Sequence, residues 1–163
     1  MIRKIEVERF SLTSSHSFDD VLAAINHAVG HPDMAQFWNS TQQARTVSEL
    51  KNSIEKALGR TGLMSFVQFD HGAIVRKATG RDKPRMVRVV IGNPLIMQEM
   101  AKHVPDAGSY APVTVLVDER SDGVHLSYDR MASFLAPYGN SDALAVARNL
   151  DKKVEALLLE AAA

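Results

Sequence analysis

The sequence predicts an α+β fold, a mostly antiparallel sheet of about five strands with helices packed on one face. Two observations carry this. Apolar segments of strand length and amphipathic helical stretches follow one another in the order β-α-(α)-β-β-(α)-β-β-α. Most neighbouring strands are joined without a regular helix, which argues against a doubly wound parallel sheet. The 163 residues show no repeat and no low-complexity linker, so a single domain over 1–163 is expected.

Residues 2–14 read as the first strand. Ile5 and Val7 alternate with charged neighbours, and Phe10 and Leu12 continue in the other register after a slip at Glu8-Arg9. Ser17 then caps a helix, with Asp20 where a capping-box acid would stand. Val21, Leu22, Ile25, Ala28 and Val29 give it an apolar stripe, and Gly30 stops it. Pro32 opens a short helix carrying Met34, Phe37 and Trp38, and the polar run Asn39–Gln43 reads as a loop. Thr46-Val47-Ser48-Glu49 is a capping box for a helix ending near Gly59.

Leu63–Phe69 is apolar on both faces, as a central strand would be, and residues 76–85 form a basic, turn-rich connection. Met86–Ile91 is a β-branched strand, and Asn93-Pro94 opens a helix over Leu95–Val104. Val113–Val117 and Val124–Tyr128 pair around a turn at Asp118–Gly123. Asp142–Leu159 closes the chain as a long helix, with Ala161–Ala163 expected to fray.

Composition excludes several functions. The chain has no cysteine, so disulfides, zinc–thiolate sites and thiol nucleophiles are impossible. Nineteen basic residues balance nineteen acidic ones, which argues against a nucleic-acid partner. No apolar run reaches the roughly 20 residues of a membrane span, and Met1–Glu6 is too charged for a signal core, so a cytoplasmic location is expected.

A resemblance enters at Gly62. Phe66-Val67-Gln68-Phe69-Asp70-His71-Gly72-Ala73, then Ile91-Gly92-Asn93-Pro94, then Ala111-Pro112-Val113-Thr114-Val115-Leu116-Val117, then Asp122-Gly123 leading to Ser127-Tyr128, occur in order. Most of residues 46–130 resembles a bacterial family known as domain of unknown function 302, with a looser match to the first strand and helix. The resemblance implies a helix-grip, β-α-β4-α arrangement similar to the TATA-binding-protein class, small size and a tendency to form homodimers. It implies no reaction. Residues 31–45 read as an insertion relative to the family.

Candidate chemistry is sparse. His71, at a strand end beside Gly72, is a candidate acid/base oriented by Asp70, or a residue that merely holds a turn. Asn93 is expected to cap a helix whose Leu95 and Ile96 amides could face an anion. Tyr128 shares a face with Val124 and Leu126, its hydroxyl expected at the edge of a cavity under the closing helix. His71, Asn93 and Tyr128 together would line a small-molecule or anion site at strand ends. Arg76, Lys77, Arg85 and Arg88, with Arg81 and Lys83, form a basic cluster that would bind an anion or simply be solvated. No histidine pair has metal spacing, because Gly30 and Pro32 interrupt His27 and His31, so no metal is expected. Met97, Met100 and His103 raise haem ligation, but the methionines are at core spacing, and no cofactor is expected. Three readings follow: a small-molecule or anion-binding module, an enzyme using His71 and Asp70, or a homodimeric interaction protein anchored through Phe37 and Trp38.

Overall fold

In the computed structural model, which describes residues 2–163, the strands are β1 (Arg9–Ser14), β2 (Met64–Asp70), β3 (Met86–Gly92), β4 (Val113–Arg120) and β5 (Gly123–Asp129). They form one antiparallel sheet in the order β1-β5-β4-β3-β2. The helices are α1 (Phe18–Ala28), α2 (Met34–Gln43), α3 (Val47–Glu55), α4 (His71–Thr79), α5 (Pro94–Ala101), α6 (Met131–Leu135) and α7 (Ser141–Ala162). The fold class and the order of the predicted elements hold, with α4 and α6 as additions.

One sheet face presents Val89, Ile91, Val115, Val117, Leu126 and Tyr128, all buried. α1 covers it with Val21 and Ile25, and α7 with Leu150, Val154, Leu157 and Leu158. Each such side chain contributes roughly 1.5–3 kcal/mol by leaving water. The opposite face carries Ser11, Arg88, Leu116 and Ser127 in one cross-strand row, with Ser11 and Arg88 exposed. A second, smaller cluster of Phe37, Ile54 and Met64 sits beside the β2 edge.

Two sequence-predicted caps form as expected. The Ser17 hydroxyl accepts from the Asp20 amide at 3.1 Å. Thr46 accepts from the Glu49 amide at 3.1 Å, and the Glu49 carboxylate reaches back to the Arg45 amide at 2.7 Å.

Five local expectations need correction. The first strand begins at Arg9, because its partner β5 ends at Asp129; past that point the Arg130 amide still reaches the Glu8 carbonyl at 2.9 Å, but the ladder does not continue. Asn39–Gln43 is helical. Its polar side chains bond within the helix, Ser40 to the Phe37 carbonyl and Thr41 to that of Trp38, both at 2.9 Å. β2 is an edge strand, not a central one. Its two-sided apolar character arises because the small cluster covers Met64 and Phe66, while Val67 and Phe69 stay 41% and 44% exposed. The supposed basic connection begins as helix α4, started by the Asp70 carboxylate on the Ala73 amide (2.8 Å) and ended by Gly80 at φ 65°. The last residues do not fray. Ser14 donates to the Ala162 carbonyl at 2.8 Å, and the His16 ring lies 2.7 Å from the Ala163 carbonyl.

Candidate functional site

A cavity of about 220 Å³ lies where the two apolar clusters meet. Its walls come from separated parts of the chain: Trp38 on α2, Phe66 on β2, Met97 and Met100 on α5, Pro112 before β4, and Leu150 on α7. A bulge at Phe66 offsets the β2–β3 register and places this ring near the Trp38 indole, centroid to centroid 6.3 Å. Gly92 keeps the floor clear. A Cβ there would stand 3.3 Å from the Pro112 side chain and 3.5 Å from the Phe66 ring. Asn93 is the one polar side chain in the lining, and its amide is already employed. Its Oδ1 accepts from the Leu95 amide at 2.9 Å, and its Nδ2 donates to the Gly62 carbonyl at 3.0 Å. The arrangement offers dispersion contacts, with no charged group in the lining.

The three residues expected to share a site are not together. His71 follows the end of β2 that pairs with Val87, and Asn93 follows the end of β3 that pairs with Met64. An antiparallel pair sends those ends in opposite directions, about 20 Å apart at the rise of an extended strand. Tyr128 is on the covered face, 1% exposed, and its hydroxyl donates to Asp151 at 2.7 Å rather than lying at a cavity edge. Burial first, then the Asp151 charge and hydrogen bond, push its phenol well above the ordinary tyrosine range, so it remains a donor.

Asp70 and His71 do not form a dyad. The Asp70 carboxylate caps α4 and lies 3.5 Å from Arg76, while the His71 ring stacks on Phe69 at 5.9 Å. Gly72 serves packing. A Cβ there would sit 2.5 Å from the Met86 amide nitrogen and 3.0 Å from the Pro84 carbonyl oxygen. The expected Leu95 amide site for an anion is likewise filled, by Asn93 itself.

The basic cluster does not converge. Arg76 donates to the Pro84 carbonyl at 3.2 Å, and Lys83 pairs with Glu119 at 2.8 Å. Arg85 makes two hydrogen bonds to Asp19 (2.6 and 2.8 Å) with its guanidinium 4.3 Å above the Phe18 ring. Arg88 is exposed on the open sheet face, on the same side as Arg9, and Lys77 is exposed on α4. Phe37 is 4% exposed and points into its own chain, so it is no free interface anchor. Trp38 is 47% exposed.

Sequence reasoning passed over Asp151. Fully buried on α7, its carboxylate accepts from Tyr128 and from the Met131 and Ala132 amides, at 2.7, 2.7 and 3.1 Å. It thereby caps α6 from across the fold. Arg130 adds charge from 3.8 Å and is itself held by Glu155 at 2.9 Å and Glu8 at 2.7 Å. The available signal was a carboxylate four residues after Ala147, on the apolar stripe of the closing helix.

No helix among the described residues is long and apolar enough to cross a membrane. No group of three or more His, Asp or Glu among them is arranged to hold a metal ion. No curated protein matches the chain. The crystal structure of an uncharacterized conserved protein DUF302 from Bacillus stearothermophilus is similar, with a TM-score of 0.65, 12% identity, and coverage of 94% of this chain and 97% of that one. That likeness supports the fold. The model of the family described as domain of unknown function DUF302 matches residues 39–160, most of the chain, and the protein belongs to that family.

Proposed function

We propose that this protein is a binding module for a small, uncharged, largely apolar molecule, held in the cavity between α2, α5 and α7. One observation carries the reading: a cavity of about 220 Å³ whose lining is apolar apart from Asn93. Water gains little there because it needs several polar partners, whereas dry apolar cavities of about 150 Å³ take up benzene or xenon. The volume suits a molecule of about one ring with a short substituent. The thioether of Met97 and the aromatic rings of Trp38 and Phe66 favour an aromatic or unsaturated ligand. Asn93, taken up by its own helix start and by Gly62, orients the wall rather than the ligand.

The chain holds a single tryptophan, and it lines this cavity, so its emission is a direct reporter. Toluene titrated into the protein should change Trp38 fluorescence saturably and raise the melting temperature with ligand concentration. A fluorescence signal that stays linear, or absent, up to the solubility of toluene, with no thermal shift, would overturn the reading.

A further inference from the structure

The segment from Gly30 to Gly59 leaves the fold and returns at one point. The amides of both glycines donate to the same acceptor, the Leu63 carbonyl, each at 2.9 Å. The two strands of backbone are in contact at this pinch. A Cβ at Gly30 would collide with the Ala57 carbonyl, and one at Gly59 with the backbone of Val29 and Gly30. Between these ends lie α2 and α3, which pack on each other and, through a small apolar cluster, on Met64 and Phe66 of β2 and Leu95 of α5. α2 buries only Phe37. Trp38 is the one side chain that this segment contributes to the cavity, and it remains half in solvent.

We infer that the Gly30–Gly59 segment is the lid of the cavity and that Trp38 is the residue that selects ligands by size. The inference rests on the binding role proposed above. The remaining walls stand on β2–β4, α5 and α7, where Met100 and Leu150 belong to the main core. Those walls resist movement because close-packed interiors deform little. The lid has fewer buried contacts, so it opens at lower free energy than the sheet. Opening it carries the indole away from Phe66 and exposes the cavity mouth.

Two variants and one exchange experiment test this. Trp38→Ala enlarges the cavity without removing a buried core residue, and Trp38→Phe keeps an aromatic wall. Calorimetric titration with toluene and n-butylbenzene should show that the native protein prefers toluene. Trp38→Ala should bind n-butylbenzene about tenfold or more tighter than the native protein does, since each methylene newly buried contributes several-fold. Trp38→Phe should fall between. An unchanged preference in Trp38→Ala overturns the selection role while leaving the cavity reading intact. A native protein that binds neither compound overturns the cavity reading, and ligand selection with it. Hydrogen exchange tests the lid without any ligand. Amides of α2 and α3 should exchange together and faster than those of β3 to β5, and equal protection would overturn the lid.

Discussion

The two apolar clusters of this protein are built differently. Around α7, a helix of 22 residues lies on the sheet with a continuous stripe of fully or nearly buried side chains. That layer even buries a carboxylate, which accepts from one hydroxyl and two backbone amides. In the α2–α3 segment, two buried residues, Phe37 and Ile54, meet Met64 of β2 and hold two short helices whose other faces are wet. The first region fixes one arrangement, because a buried charge tolerates no loss of its partners. The second is tied at its base and lightly packed above it. The cavity lies at their seam, with walls from the main core on one side and Trp38 of the α2–α3 segment on the other. If the proposed binding role holds, stability and the freedom to admit a ligand reside in separate layers of this small fold.

The largest expected effect strikes the rigid layer. Asp151→Ala removes the acceptor of the Tyr128 hydroxyl and of two amides and leaves Arg130 with fewer counter-charges, for a loss of about 3–5 kcal/mol. Urea unfolding measures it, and a loss below about 1 kcal/mol would show that the network does not organise this region.

A matched pair sharpens the contrast. Leu157→Ala, beneath the sheet, should cost about 2–5 kcal/mol of global stability. Phe37→Ala removes a larger side chain, yet its global cost should stay under about 2 kcal/mol, because the segment loosens locally before the fold does. Hydrogen exchange should then quicken in α2 and α3 alone. Equal global costs, with exchange quickened everywhere, would make the two clusters one cooperative unit.

The smallest effect lies on the open face. Hydrogen bonds and charge from Arg9 hold the Asp129 carboxyl below the usual carboxylate range. A carboxyl lowered by folding stabilises the fold above the ordinary range, and that contribution fades as pH falls through its folded value. Asp129→Asn should therefore cost under about 1 kcal/mol at neutral pH and nothing measurable in strong acid. Unfolding curves across pH 2 to 7 would reveal the converging limbs, and a constant gap would discount the pair.

Much of the fold was legible because its signals are local. The caps at Ser17, Thr46 and Asn93 depend on side chains reaching amides two or three residues away. The stripe of α7 and the β-branched run of β3 state their periods directly. Helix α4 was also written in the chain, with Asp70 before it and Gly80 after it, but the surrounding basic residues read as a turn. The site was far less legible. His71 and Asn93 are both at strand ends, and only the pairing of β2 with β3 sends those ends apart. Trp38, Phe66, Met97 and Leu150 carry no chemical motif, and each reads alone as ordinary core.

The sequence by itself determined the α+β class, the order of the main elements, the caps and the composition limits, since these follow from periodicity and near-neighbour hydrogen bonds. The tertiary structure alone decided that β2 lies at an edge, that Asp151 caps a helix 20 residues earlier in the chain, and that a cavity opens beside Trp38. Those depend on which distant surfaces meet. A void in particular belongs to no residue, because it is the space several of them fail to fill.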